Sequence, residues 1–277
     1  MAKIAARVLA EGDGWSVRDV VCSSGPQDRP FEEQHSVVGI AMVVAGTFHY
    51  RSSSGSALMT PGSMLLANSG QVFECGHEHG VGDRCLSFQY AQHVFEDLVG
   101  TASAFHSVHL PPLRSMSPFV ARAFASAVTS TTADAWKDLA TELAGAAIER
   151  STGRDVARPK ARAIGRVSRV VRAIERDADE PLDVGTLARA TGLSPYHFLR
   201  VFQGVTGVTP HQYLLRTRLR RAAVRLASGP AKIIDIALDC GFGDVSNFNR
   251  TFRAEFGVSP RAFRRLRPTL PQPASGS

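Results

Sequence analysis

The sequence predicts an α+β protein in two domains: a β-rich N-terminal body followed by helices, and an all-α C-terminal domain that carries one helix-turn-helix unit twice. Three observations predict it. The hydrophobic period changes from strand-like to helical after Pro111-Pro112. A polar stretch without apolar periodicity, "STGRDVARPKAR", separates the halves. And "LARATGLSPYHFLRVFQGVTGVTPHQY" returns about fifty residues later as "IALDCGFGDVSNFNRTFRAEFGVSPRAF". A length of 277 residues suits two such domains, and 44% hydrophobic with 21% charged residues is a globular composition, which argues against disorder or a fibrous chain.

From the N-terminus, "MAKIAARVLAEGDG" reaches Glu11 and Asp13 before an apolar stretch of signal-peptide length, and no run approaches 18 apolar residues. A cytoplasmic protein without membrane contact is therefore expected. Residues 15 to about 110 read as β structure. The stretches "WSVRDVVC", "SVVGIAMVVAGTFHYR", "SMLLANS" and "RCLSFQY" are rich in β-branched and aromatic residues and are punctuated by Gly, Ser and Pro, with a turn at Pro61-Gly62. Many short strands favour a barrel or sandwich able to enclose a pocket.

Two amphipathic helices follow. Phe119, Ala123, Phe124 and Val128 share one face of the first, and Trp136, Leu139, Ala140, Leu143, Ala147 and Ile148 one face of the second. These faces permit packing on the β body or pairing with a second copy. The expected organisation is a body over 1–150, a linker over 151–165, a helical domain over 166–267 and a disordered tail over 268–277.

The helical domain is marked by its caps. Asp183, Ser194-Pro195, Thr209-Pro210 and Ser259-Pro260 each place a small polar or acidic residue before a helical run, and Pro at a first helical position gives up no needed donor. The two copies match Ala188 with Ala237, Gly192 with Gly241, Phe198 with Phe248, Arg200 with Arg250, Phe202 with Phe252, Gly207 with Gly257 and Pro210 with Pro260. The second copy has one more residue in its turn. Each copy is a short helix, a Gly-containing turn and a second helix.

In those second helices Phe198 and Phe202, or Phe248, Phe252 and Phe256, share a face and are core. Tyr196, His197, Arg200 and Gln203 point away from it, as do Ser246, Asn247, Arg250 and Arg253. Such side chains hydrogen-bond to base edges and phosphates, or pair with surface carboxylates. Charge favours the first use. Between Arg166 and Arg267 there are 18 Arg and Lys against 9 Asp and Glu, while the remainder has 14 against 16. The connector, residues 211–227, spans roughly 25 Å as a helix. Leu215, Leu219, Ala222, Ala223 and Leu226 form its apolar face, and Arg216, Arg218, Arg220, Arg221 and Arg225 read as a solvated face with some phosphate contact. Two units on one connector suit successive major-groove faces roughly 34 Å apart. Asp244 reads as a helix cap and Cys240 as a small core residue.

From Val167 to Arg265 the chain resembles the AraC/XylS transcription regulators, and "IALDCGFGDVSNFNRTFRAEFGVSPRAFR" is similar to that family's C-terminal signature. The resemblance implies base contacts from Tyr196, Leu199 and Arg200 in the first unit and from Val245, Ser246, Asn247 and Arg250 in the second. Leu199 and Val245 are apolar and suit thymine methyls. It further implies a cupin-like N-terminal barrel that binds a small-molecule effector, helices used for homodimerisation, and double-stranded promoter DNA and RNA polymerase as partners. No enzymatic activity is expected.

The loop "CGHEHGVGDRC" stands apart. Cys75, His77, His79 and Cys85 offer two thiols and two imidazoles within eleven residues, donors suited to zinc or another soft divalent metal. The spacing matches no zinc finger, and Gly76, Gly80 and Gly82 suit a hairpin loop at a pocket rim. A metal site, a redox thiol pair and a structural loop are all open readings, as is a metal-dependent cupin enzyme with Glu74 or Glu78 as base. The four cysteines, Cys22, Cys75, Cys85 and Cys240, are too scattered for a disulfide framework, and reduced thiols are expected.

Overall fold

A computed structural model describes residues 4–28, 32–78, 80, 82–100, 105–129, 131–151 and 161–265. Ten strands fill the N-terminal body: β1 (Ile4–Gly12), β2 (Trp15–Cys22), β3 (Glu32–Gln34), β4 (Val38–Ala45), β5 (Phe48–Ser52), β6 (Gly55–Met59), β7 (Met64–Ala67), β8 (Val72–Gly76), β9 (Asp83–Tyr90) and β10 (His109–Leu110). Their antiparallel ladders give a six-stranded sheet, β1-β2-β9-β4-β7-β10, and a four-stranded sheet, β3-β8-β5-β6. Among the described residues the ladders do not close into the cupin-like barrel that the resemblance implies; the two sheets face each other, the sandwich that the strand pattern also allows.

The physical reason lies in the central strands β4 and β7, which are apolar on both faces and so require two covers. Ile40, Met42, Met64, Leu66, Leu86 and Phe88 point one way, into a core shared with the helices. Val43, Leu65 and Cys85, on the alternate positions, point the other way toward Phe48, Tyr50 and Met59 of the smaller sheet. The Pro61-Gly62 turn is as expected: Ser63 N–H donates to Thr60 O at 2.9 Å, and Gly62 has φ +87°, the geometry a type II turn demands of its third residue.

Three helices cover the outer face of the large sheet: α1 (Gln92–Val99), α2 (Ser117–Val128) and α3 (Ala133–Ser151). The apolar faces expected of α2 and α3 are found, with Trp136, Leu139, Ala140, Leu143 and Ala147 all buried and Val128 exposed at the helix end. Two elements differ from the sequence reading. β1 lies before residue 15, as an edge strand whose side chains are mostly exposed, which removes the apolar alternation that marks a strand. α1 interrupts the β region, and its eight residues, with only Phe95 buried, make too short a helical run to stand out within a strand-rich stretch.

The C-terminal part is all helix: α4 (Ala161–Arg176), α5 (Val184–Thr191), α6 (Pro195–Thr206), α7 (Pro210–Ser228), α8 (Ile233–Asp239), α9 (Val245–Phe256) and α10 (Pro260–Arg265). Of the expected linker, residues 152–160 lie outside the described residues, and α4 already begins at Ala161. The expected tail over 268–277 also lies outside them.

The caps act as the sequence indicates. Asp183 accepts from Thr186 N–H, Ser194 from His197 N–H, Asp244 from Asn247 N–H at 2.7 Å and Ser259 from Ala262 N–H, while Thr209 and Gln212 complete a capping box. Two phenylalanine cores form, one for each unit. Phe198, Phe202 and Val205 pack with Ile164, Val167, Val171 and Ile174 of α4 and with Tyr213 and Leu214 of α7. Phe248, Phe252, Phe256 and Phe263 pack with Leu219, Ala222, Ala223 and Leu226, also of α7. One helix thus contributes its first half to one unit and its second half to the other, which fixes their relative rotation. No helix among the described residues is long and apolar enough to cross a membrane.

Candidate nucleic-acid interface and N-terminal cavity

The helices α5 and α6 form the first helix-turn-helix unit, and α8 and α9 the second. Three residues separate α5 from α6 and five separate α8 from α9, so the longer second turn expected from the repeat is present. With Phe198, Phe202, Phe248 and Phe252 fully buried, the rotation of each second helix is set, and the opposite face stands in solvent. Tyr196, His197, Leu199, Arg200, Gln203, Ser246, Asn247, Arg250 and Arg253 are all exposed and Val245 is half-buried. Tyr196 is 72% exposed and Leu199 37%. A large aromatic ring held in water at such a position is available to a partner.

Arg200, Arg250 and Arg253 have no carboxylate partner among the described residues. The surface ion-pair reading of Arg200 and Arg250 therefore has no partner to support it. The Arg200 guanidinium lies 6.0 Å from the Tyr196 ring centroid, and Arg250 donates to Asn247 Oδ1 at 3.2 Å. Both contacts are within the exposed face and pre-orient the guanidinium without neutralising it.

The connector arginines behave differently from expectation. Arg216 pairs with Glu255 at 3.0 Å and donates to Pro112 O, and Arg218 donates to Ala178 O and Glu180 O. Arg220 is buried against Glu175 at 2.7 Å, Arg221 pairs with Asp179 and Arg225 with Asp239. Each is committed within the protein, so the predicted solvated, phosphate-touching face is corrected to a set of internal ties. Counting charges could not find this, because the acidic partners lie 14 to 45 residues away along the chain.

Against known proteins, a family profile described as a helix-turn-helix domain matches residues 187–266. The regulatory protein SoxS of Salmonella typhimurium is 34% identical over 98 residues, which cover 35% of this chain and 92% of that protein. The chain belongs to the AraC/XylS family of DNA-binding transcription regulators. The right origin-binding protein of Escherichia coli K12 is 35% identical over 92 residues, 33% of this regulator and 32% of that protein. A solved AraC-type transcriptional regulator from Chromobacterium violaceum is 31% identical and covers 40% of the regulator and 98% of its own chain, with a TM-score of 0.37.

The regulator's N-terminal body contacts the DNA-binding part at several points. Ser117 of α2 donates to Glu255 Oε1 near the end of α9, and Arg114 donates to Ala254 O. Thr47 Oγ1 meets Ser168 Oγ of α4 at 3.0 Å, and Leu58 enters the core of the first unit. Tyr213 of α7 donates to Glu175 and reaches Pro61 O at 3.4 Å. Ser117, Glu255, Thr47, Ser168 and Tyr213 are all buried in these contacts.

Between the two sheets lies a cavity of about 260 Å³, lined among others by Val20, Ala41, Phe48, Leu65 and Phe73 and by the polar groups of Cys22, His35, Cys75, His77, Asp83 and Cys85. Of the four donors suggested by the 75–85 loop, Cys75, His77 and Cys85 line this cavity, and His79 lies outside the described residues. Among the described residues, the donor atoms that converge are those of Cys22, His77 and Asp83, all within 4.8 Å of one another.

Cys22 and Asp83 face each other as register partners of β2 and β9. The loop returns tightly enough to bring His77 over them: Gly82 has φ +76°, and a Cβ there would lie 2.3 Å from Cys22 O. Asp83, accepting from Nε2, and then Cys22 push the His77 imidazole up to about 9, and the same imidazole lowers the Cys22 thiol below its ordinary value. Burial instead pushes His35 down to about 4. Sequence spacing missed Cys22 because a strand pairing joins it to Asp83 from 61 positions away, whereas Asp83, six residues from His77 in the same loop, was passed over for the thiols and imidazoles around it.

Proposed function

We propose that the regulator places α6 and α9 in successive major-groove faces of one promoter site, so that a single protomer reads both halves. The observation that carries this reading is the pair of solvent-facing sets, Tyr196-Arg200 and Ser246-Asn247-Arg250, whose guanidinium groups lack carboxylate partners among the described residues while the connector arginines are all taken. α7 is 19 residues, about 28 Å long, which suits the roughly 34 Å spacing of successive major-groove turns. Arg200 and Arg250 serve guanine edges, Asn247 an adenine edge, and Leu199 and Val245 thymine methyls. Arg253, His197 and Gln203 lie farther along the same faces and serve phosphates or flanking bases.

The cavity between the sheets is the proposed seat of a small-molecule effector. Its wall residue Phe48 follows Thr47, whose hydroxyl meets Ser168 of α4, so a ligand that moves this wall biases the seating of the first unit. Promoter DNA, RNA polymerase, the effector and a second copy of the chain are the proposed partners, and a non-enzymatic regulator of the cytoplasm is the proposed setting. A 1–150 body and a 166–267 reader remain the proposed functional division.

The test is a DNase footprint of the purified protein on the DNA flanking its own gene, titrated in salt. Protection over about two helical turns per protomer, lost at one half-site in Arg200→Ala and at the other in Arg250→Ala, is expected. Unchanged protection in both variants would overturn the assigned faces.

A further inference from the structure

We propose that Cys22, His77 and Asp83 form a binding site for a borderline or soft divalent cation of the zinc and cobalt class, set in the wall of the N-terminal cavity. The proposal names a ligand class for the cavity described above and rests on the effector reading only for its effect on DNA.

Two short contacts end on the same nitrogen. Cys22 Sγ lies 3.6 Å from His77 Nε2, and Asp83 Oδ2 lies 2.8 Å from that same Nε2. One ring nitrogen carries one proton and can serve one acceptor. A cation in the proton's place is shared by all three donors at once, which is what convergence on a single point favours. The spacing also fits. A metal about 2.3 Å from sulfur and about 2.0 Å from an imidazole nitrogen, at a tetrahedral angle, holds those atoms about 3.6 Å apart. The Sγ–Nε2 pair already has that separation, and Asp83 Oδ2 need withdraw only about half an ångström.

The donor set decides the class of metal. Thiolate with imidazole and one carboxylate suits zinc-like cations, whereas calcium and magnesium take oxygen donors. The His77 and Asp83 side chains are each 7% exposed, and Cys22 is half-buried, so the site is sheltered but reachable from the cavity. Three protein donors leave a fourth position facing the cavity, open to water or to a small ligand. Cys85, whose Sγ lies 3.9 Å from Asp83 Oδ1, stands behind the carboxylate as its neighbour.

The site also adjoins the DNA-binding part. His77 is followed by Glu78, and a Cβ built on Gly165 of α4 would lie 3.2 Å from Glu78 Oε1. A cation that fixes His77 thereby fixes the loop lying against α4, and a ligand on the cation's open position has a short route to the first reader. Loading releases any protons held by the Cys22 thiol and His77, so affinity rises with pH.

The experiment uses the full chain, stripped with a chelator and titrated with Co(II) alone. One equivalent is expected to produce a thiolate-to-cobalt charge-transfer band together with the intense visible bands of tetrahedral cobalt. Cys22→Ser should remove the charge-transfer band, and His77→Gln should weaken binding by at least about tenfold. Cys85→Ser and the distant Cys240→Ser should keep the band. Circular dichroism of each variant establishes that it is folded. A folded wild-type protein without the band, or a band that survives Cys22→Ser, overturns the site.

The same samples footprinted with and without Zn(II) separate the two readings. Stoichiometric cobalt binding with an unmoved footprint upholds the site and removes only the effector role.

Discussion

Glu255 is expected to be one of the costliest surface-distant residues to lose, and the reason is its position between three elements. Its side chain is 7% exposed and takes Arg216 Nε at 3.0 Å, while Ser117 of α2 donates to the same oxygen. Arg216 is itself only 12% exposed. Glu255→Ala therefore leaves a nearly buried guanidinium with the Pro112 carbonyl as its remaining acceptor, and a buried hydroxyl without its carboxylate. Breaking a buried pair from one side costs about 3–5 kcal/mol. Arg114, 4.0 Å from Glu255 and 60% exposed, adds little because water screens it.

The assay is urea unfolding of wild type, Glu255→Ala, Arg216→Ala and the double variant. A strongly non-additive cycle is expected, because the second substitution removes the charge that the first leaves unpaired. Ser117→Ala should cost about 1 kcal/mol. A loss below about 1 kcal/mol for Glu255→Ala, or strict additivity, would mean that the carboxylate is solvated. The contact between α9 and the N-terminal body would then not hold as described.

Arg200→Ala and Arg250→Ala should each weaken specific DNA binding by about 1–3 kcal/mol, about fivefold or more, and leave the urea midpoint unchanged because both side chains are exposed. Arg220→Ala should do the reverse, destabilising the fold by unpairing Glu175 while leaving the salt slope of DNA binding unaltered, as measured by fluorescence anisotropy across a salt series. Burial pushes His109 down to about 4 from its ordinary 6.5, so the unfolded chain takes up a proton in that interval that the folded chain refuses. Stability is then full above pH 6.5 and falls by up to about 3 kcal/mol as the pH drops to 4, a slope that His109→Gln should flatten in pH-dependent thermal melts. Gly82→Ala should cost about 1–3 kcal/mol, since its positive φ and the approach of Cys22 O leave no room for a Cβ; circular dichroism melts read the loss.

The C-terminal half was legible in the sequence because its information is local. A cap and its amide are three residues apart, as with Asp244 and Asn247, and the phenylalanines that orient each reader recur at helical spacing. The solvent face of α6 and α9 follows from those two facts. The repeat supplied the rest: the same Arg on the same face twice, with one added residue in the second turn.

What the tertiary structure decided is everything carried by long-range pairing. The connector arginines look free along the chain and are tied by carboxylates and carbonyls that only folding brings near. The β body has two sheets and no closed barrel among the described residues, because β4 and β7 are apolar on both faces and need helices on one side as well as strands on the other. And the donors facing the cavity are assembled by a ladder between β2 and β9. His77 and Asp83 share one visible loop, but Cys22 becomes their neighbour only when β2 lies opposite β9 across the sheet.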